Sequence, residues 1–473
     1  MQPRLHKSTR ALQKSIPKVQ NDPQRPRYHF LPPANWMNDP NGTIFYRGEY
    51  HLFYQFNPAK PKWGNLHWGH AKSTDLVHWE HLPMALAPDG FPGEMHCWSG
   101  CCVIADDDTP MIFYTSMNLQ ALLTRAKRGS QQWMATGSPD LITWKKFPDN
   151  PILSEEIHGD QVVQQWRDPY VWKEGDQWLM VLAGEYPGEK RGRIFLYRSL
   201  DLLEWAYVGL LATDPLDRGR GWECPNYFKL GDKYMLVVSP YGSVIYSVGE
   251  FDGQTHHTDA WHTLDHGRAF YATNTYVDER GRVILVGWVK AKGQGWAGCL
   301  SLPREIALED DQVIIRPVSE LQALRGAHQH FERKLDTLVE SAGTAPIFGE
   351  RVEIKAYFDL ELAQAFGFKL MDDETEYLIR FDSPIRNVQV FDEQTQLQFV
   401  PEKGPLEVHL FVDHSVLEIF INQREVFTVA FRPQLAETHT LRIAPFVEHG
   451  RGSFWLDAWR MGEAPVAGSV KMA

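Results

Sequence analysis

Asp39, Asp168 and Glu223 each stand just ahead of a segment with the same pattern. Asp39-Pro-Asn-Gly leads an apolar-rich run to Tyr46, a turn at Arg47 to Glu49 and a second run from Tyr50 to Phe56. Arg167-Asp168-Pro169 leads Tyr170 to Trp172, a turn at Glu174 to Asp176, then Trp178 to Leu182. Glu223-Cys224-Pro225 leads Tyr227 to Leu230, a turn at Gly231-Asp232, then Tyr234 to Val238. Short apolar and aromatic runs flanking a Gly/Asp turn predict β-hairpins. Residues in the same place on repeated hairpins reach the same end of a radial array, so the three carboxylates are expected to converge. Converging carboxylates are what glycoside chemistry uses.

Each carboxylate has a distinct local setting. Pro40 biases Asp39 towards an extended backbone, Asn41-Gly42 makes a tight turn, and Asn38 can orient the carboxylate or a substrate hydroxyl. Arg167 puts a cation beside Asp168, which predicts a lowered pKa and an ionised acceptor for sugar hydroxyls. Trp222 and Cys224 flank Glu223 with apolar surface, and partial desolvation of this kind raises a carboxyl towards the range of a general acid.

Two further hairpins complete the series. Cys102 to Ala105 and Met111 to Thr115 flank an acidic turn after Trp98-Ser99-Gly100. Thr275 to Val277 and Val283 to Trp288 flank the other. Five hairpins with turns roughly 50 to 70 residues apart fit one four-stranded propeller blade each. Ser-x-Asp-Leu-x-x-Trp recurs at 73–79, 138–144 and 199–205, and reads as a scaffold turn. After Arg304 the pattern changes. Pro317 to Arg325 predicts a short helix with Val318, Leu321 and Leu324 on one face. Strands at 352–358, 377–381, 408–412, 416–421 and 426–431 then suggest an antiparallel sandwich. The expected fold is all-β, a five-bladed β-propeller over 28–326 and a C-terminal β-sandwich over 327–473. An extension over 1–27 is expected to carry a short amphipathic surface helix from Leu5 to Ile16, ended before Pro17.

The chain of 473 residues is long enough for two domains. A net charge of −12, with basic residues concentrated only at the N-terminus, argues against nucleic acid as a partner. No apolar stretch approaches the ~20 residues a membrane span needs. The start carries seven Lys/Arg but no apolar h-region, so no ordinary secretory signal is expected, and the expected compartment is the cytoplasm. Five cysteines at spacings that fit no zinc pattern are expected to be mainly reduced thiols.

Trp36-Met-Asn-Asp-Pro-Asn-Gly42, Arg167-Asp-Pro169 and Glu223-Cys-Pro225 resemble the three catalytic blocks of glycoside hydrolase family 32, the β-fructofuranosidase, invertase and fructanase group. Supporting matches are Phe53-Tyr-Gln-Phe-Asn-Pro58, Trp68-Gly-His70, Gly295-Trp-Ala-Gly298 with Ser301-Leu-Pro-Arg-Glu305, and Phe411-Val-Asp413 through Glu418-Ile-Phe420. The resemblance runs from about Tyr28 to the C-terminus and implies a propeller followed by a sandwich. By it, Asp39 matches the nucleophile, Glu223 the general acid/base and Asp168 the transition-state stabiliser. Asn38, Gln55, Trp63, Ser99 and Arg167 match contacts to a fructosyl unit, and Trp98 and Trp288 match apolar walls. Two blocks depart from the family's usual pattern: Trp98-Ser-Gly-Cys101, commonly Phe-Ser-Gly-Ser, and Tyr271-Ala-Thr-Asn-Thr275, commonly Tyr-Ala-Pro-Gln-Thr. Both bear on the pocket wall rather than on the carboxylates.

The implied reaction releases terminal β-D-fructofuranosyl units from sucrose or short fructo-oligosaccharides by double displacement, with the two reacting carboxyls ~5 to 5.5 Å apart. No metal or cofactor is expected. Partners are limited to the carbohydrate substrate, with a second copy of the chain, paired through the sandwich, as a further possibility. Other readings of the same residues are sucrose-6-phosphate hydrolysis, exo-acting cleavage of levan or inulin, and fructosyl transfer. An inverting arabinanase or xylosidase would use three carboxylates at a wider spacing, and a non-catalytic carbohydrate-binding homologue would do no chemistry at all.

Overall fold

The computed structural model describes residues 2–90, 93–125, 127, 129–189, 191–215, 221–336, 347–359, 364–382, 386–397, 405–448 and 450–467. Five antiparallel blades follow one another along the chain, four-stranded except that the outer edge of the fourth is split into two short strands, His256–His257 and His262–Thr263. The innermost strands of the blades are Asn35–Tyr46, His96–Ile104, Gln164–Glu174, Glu223–Leu230 and Phe270–Val277. Each innermost strand packs against the next, and the fifth returns to the first, so the blades close a ring. Closure is also hydrogen-bonded. The strand Trp296–Leu300 pairs antiparallel with Val283–Gly293 of blade five and parallel with Asn35–Tyr46 of blade one. The inner strand of blade one is thereby paired on its second side at its start, Asn35 and Trp36, which is how a ring of sheets fastens first blade to last.

The recurrent Ser-x-Asp-Leu-x-x-Trp stretches connect the third and fourth strands of blades one to three. In each, the Asp carboxylate accepts from backbone N–H groups two or three residues on, as from Val77 and His78 to Asp75. Leu76, Leu141 and Leu202 take left-handed φ values of 64°, 61° and 68°. The indole of Trp79, Trp144 and Trp205 donates back to the carbonyl of that Leu at 3.0, 2.6 and 3.1 Å. The turn is a self-capped clip, and its function is structural.

Beyond blade five the Ser319–Leu324 segment forms a 3-10 helix burying Leu321 and Leu324, a tighter and shorter coil than the helix expected over 317–325. From Arg325 onward two six-stranded antiparallel sheets face each other. Their inner faces supply a separate apolar core that includes Ile354, Phe358, Phe368, Leu410, Ile419 and Leu456.

The N-terminal helix is present and ends before Pro17, as expected, but it starts earlier. It runs Gln2–Ser15 and continues as a 3-10 turn over Ile16–Lys18, with Pro17 inside that turn. Proline is tolerated there because the first turn of a helix has no use for its missing N–H. The helix is docked rather than lying loosely on the surface: Leu12 is fully buried and Ser8 Oγ sits 2.9 Å from His67 Nε2. Among the described residues no helix is long and apolar enough to cross a membrane.

Propeller and sandwich are joined by buried charge. Arg304 donates to Asp265 at 2.8 Å and to Glu418 at 2.7 Å, all three fully buried. His29 bridges Asp413 at 2.8 Å and Glu418 at 3.2 Å. The backbone N–H groups of Arg27, Tyr28 and His29 also converge on the Asp413 carboxylate. Burial opposes the charge on His29, but its bonds to Asp413 and Glu418 outweigh that cost and lift it to about 9. Each charge of the cluster has an opposite charge within hydrogen-bond reach, although Arg304 Nε is left without a partner.

Candidate active site

All five innermost hairpins carry a register shift at the same level. The shifts fall between Met37 and Pro40, Cys97 and Gly100, Arg167 and Tyr170, Glu223 and Asn226, and Tyr271 and Thr273. A bulge bends its strand and re-aims the side chains beside it. Asp168, Cys224 and Ala272 sit at these points with φ of 64°, 48° and 44°, a region costly for residues other than glycine. The bulges thus turn Asn38-Asp39, Trp98-Ser99, Arg167-Asp168, Glu223 and Tyr271 towards one end of the ring axis.

There all of them but Ser99 line a pocket of about 220 Å³, together with Trp36, Gln55, Trp63 and Trp288. That is smaller than the ~300–1,000 Å³ of sites for drug-sized ligands, so the pocket fits a single sugar ring. Four tryptophans wall it. Trp36 and Trp288 approach at 5.7 Å between ring centres, and Trp63 stands half-exposed at the lip.

Asp39 lies on the floor with its acceptors filled. Asn38 Nδ2 donates to Oδ1 at 3.0 Å, and Ser99 Oγ and Gln55 Nε2 donate to Oδ2 at 2.5 and 3.2 Å. Gln55 also bonds Ser99, which stands behind the wall rather than on it. Burial pushes the Asp39 carboxyl up, the Ser99 bond draws it back, and the neighbouring Glu223 charge pushes it up again. Cys224 Sγ lies 3.5 Å from Asp39 Oδ2 and 3.7 Å from Asp168 Oδ2, so the thiol links two of the three carboxylates.

Asp168 corrects a sequence expectation. It is pushed up to about 7, because burial outweighs the Arg167 charge and the Glu223 and Asp39 charges add to it. Arg167 Nε stands 3.8 Å from Asp168 Oδ2, too far for a hydrogen bond. The guanidinium is instead directed to Glu223, donating to its Oε1 from Nη2 at 2.7 Å and Nε at 3.3 Å. Asp168 Oδ2 accepts from the Cys224 backbone N–H at 3.0 Å, and Thr115 Oγ1 accepts from the Asp168 N–H at 2.9 Å.

Glu223 differs from expectation in its neighbours. Trp222 points away, into a cluster with Trp261, and Cys224 turns towards Asp39. The Glu223 carboxylate accepts from the Arg167 cation and from the Tyr271 hydroxyl, which donates to Oε2 at 2.5 Å, and the Tyr241 hydroxyl bonds it as well. Arg167 is held by Tyr241 and Gln165 and packs against the Trp98 ring.

Every residue singled out from the sequence is thus gathered here, with Ser99 one layer behind. Sequence reasoning gave no site role to Tyr241 or Thr115, nor to Trp36, Tyr271 and Cys224, although the last three stand inside the blocks it singled out. Tyr271 had a usable signal, since it opens the fifth hairpin as the carboxylates open theirs. Tyr241 and Thr115 had none, because they reach the site from other strands and loops. Of the two departing blocks, only Trp98 and Tyr271 touch the pocket. Cys101 faces the core between blades two and three, and Asn274 accepts from Thr43 in the seam of blades one and five.

Comparison with known proteins points the same way. The family model described as the glycosyl hydrolases family 32 N-terminal domain matches residues 29–317, and its C-terminal partner matches 320–460. The chain is 35% identical over 436 residues to a sucrose-6-phosphate hydrolase of Zymomonas mobilis subsp. mobilis, covering 84% of this chain and 83% of that protein. It is 32% identical to a sucrose-6-phosphate hydrolase of Escherichia coli, covering 96% and 99%. The solved structure of a Bombyx mori GH32 β-fructofuranosidase variant in complex with sucrose superposes with a TM-score of 0.82 at 30% identity, over 98% of this chain and 99% of that one.

Proposed function

The chain belongs to glycoside hydrolase family 32, and on that basis we propose that it is a retaining β-fructofuranosidase that releases terminal fructosyl units from sucrose or a closely related fructoside. One observation carries the reading. Three carboxylates from three blades, each at a bulge of the same register, meet in a pocket large enough for one sugar ring.

Asp39 attacks the anomeric carbon of the bound fructosyl unit while Glu223 gives its proton to the departing glycosidic oxygen. The donors Asn38, Gln55 and Ser99 aim the Asp39 oxygens and favour their ionised form. The leaving sugar departs through the open side of the pocket. Glu223 then takes a proton from water, and the water oxygen displaces Asp39 with overall retention. Asp168 bonds ring hydroxyls and stabilises the positive charge that develops on the ring. Arg167 and Tyr271 fix the Glu223 carboxyl on the side from which the leaving group exits. The pathway requires the Asp39 and Glu223 carboxyls to work at ~5 to 5.5 Å.

The same reading divides the chain into a catalytic propeller over 28–326 and a supporting sandwich over 327–473, the first sandwich-sheet strand beginning at Arg325. It places the enzyme in the cytoplasm, where the five buried, unpaired cysteines stay reduced. The test is to incubate the protein with sucrose and follow the anomer of the first fructose released. Release of β-fructofuranose, with an adduct of one fructosyl residue on Asp39 in quenched samples, supports the reading. An inverted product, or no turnover, refutes it.

A further inference from the structure

We propose that Lys290 is a specificity residue that binds a negative charge on the leaving group, so that the preferred substrate is a fructoside with a phosphorylated leaving sugar. This rests on the fructosidase reading above and deepens it.

The pocket takes one ring, so the leaving sugar must stand outside it, against whatever forms the rim. Lys290 is part of that rim. It lies two residues beyond Trp288 on the strand Val283–Gly293, and its backbone N–H is bonded to Ala269. Its Nζ stands 4.5 Å from the centre of the Tyr271 ring and 5.5 Å from that of Trp288, two side chains that line the pocket. The residue is exposed, and it makes no ion pair among the described residues. The charges that act on it are those of Glu223 and Asp39, yet the loss of water around it still draws its pKa down.

A cation placed over two aromatic faces is held in position without being neutralised, because a ring face attracts charge but supplies no counter-ion. It therefore remains open to an anion arriving with the substrate. The other cation of the site is not open in this way, since Arg167 is engaged by Glu223, Tyr241 and Gln165. A lysine suits a phosphate monoester as a point charge with three donors. The leaving oxygen is released next to Glu223, and Tyr271 connects Glu223 to Lys290, so the charge lies on the exit side of the pocket.

The experiment compares kcat/KM on sucrose and on sucrose 6-phosphate for wild type, Lys290→Met, Lys290→Arg and Lys62→Met. Lys62 is an exposed lysine next in the chain to Trp63 of the lip, and serves as the control. Glucose and glucose 6-phosphate are tested as product inhibitors, and thermal denaturation checks each fold. Wild type is expected to favour the phosphorylated substrate. Lys290→Met should lose about tenfold or more on sucrose 6-phosphate beyond its loss on sucrose, mainly in KM, as for a bond to a charged group. It should also lose the preference for glucose 6-phosphate over glucose, and Lys290→Arg should recover most of both. Parallel losses on the two substrates would overturn the proposal, as would a wild type indifferent to the phosphate or discrimination that disappears in Lys62→Met instead. An enzyme inert on both substrates overturns the fructosidase reading and this inference with it.

Discussion

Arg167 spends its guanidinium on Glu223 rather than on its chain neighbour Asp168, with both Nη2 and Nε directed at Glu223 Oε1. Two carboxylates one blade apart are thereby placed in opposite situations. Glu223 is oriented by a cation and two phenols, while Asp168 is buried with backbone and thiol donors. In Arg167→Lys the fork is lost and a single point charge remains. That variant should lower kcat/KM on sucrose by about tenfold or more, measured by initial rates, with its melting temperature little changed.

Asp39→Asn and Glu223→Gln should both reduce turnover severely, but they separate with the leaving group. The Glu223→Gln loss of about 10²–10⁴ on sucrose should shrink on an aryl fructoside, whose leaving group needs no proton. The Asp39→Asn loss should persist on both substrates. Steady-state rates on the pair of substrates distinguish an acid from a nucleophile.

Asp168→Asn should cost about 10²-fold or more in kcat with a smaller effect on KM, as expected for a bond that tightens in the transition state. The same change should stabilise the fold at neutral pH. Burial raises this carboxyl to about 7, so the folded state holds a proton that the unfolded state has released above its ordinary value near ~4. The ionised group therefore costs stability increasingly from about pH 4 to about pH 7, and by a constant amount above that. The melting temperature of the Asn variant relative to wild type should rise across that window and level off, a trend that calorimetry can follow.

Ser99→Ala removes the strongest donor to the Asp39 carboxylate, one that draws its pKa down. Without it, Asp39 holds its proton to higher pH. The acid limb of the kcat/KM profile should therefore move to higher pH while the alkaline limb stays in place.

His29→Ala should destabilise the protein by about 3–5 kcal/mol, because Asp413 and Glu418 would lose a buried partner. The pH dependence has a defined sign. A histidine raised to about 9 contributes fully below its unfolded value of ~6.5, and the contribution is lost as pH rises through about 9. Asp413 and Glu418, both held low, lose theirs only as the solution becomes acidic. Wild type should therefore show an alkaline fall in melting temperature between pH 6.5 and 9 that is blunted in the variant.

The propeller was readable because its hairpins repeat, and repetition is a property of sequence spacing. The convergence of Asp39, Asp168 and Glu223 followed from their shared register. Their electrostatics did not, because a neighbour in sequence need not be a neighbour in space. At a bulge, consecutive side chains leave on unexpected vectors, so Arg167 reaches across to the next blade and Trp222 turns away from Glu223. Burial is likewise a property of the assembled ring, and it reversed the direction expected for Asp168. Tyr241 and Lys290 carry no local pattern, and only the folded arrangement brings them to the pocket.

The strand Trp296–Leu300 supplies the second hydrogen-bonded neighbour of the strand that carries Asp39. On the ribosome, Asp39 emerges among the first residues of the ring, but its strand keeps an open flank until blade five has been made. The strand that carries Asp39 thus waits for the last part of the propeller before its start, at Asn35 and Trp36, is fastened on the second side. Chains truncated before residue 296 should hold all three carboxylates and still have no working pocket, so that catalysis itself reports that the circle has shut.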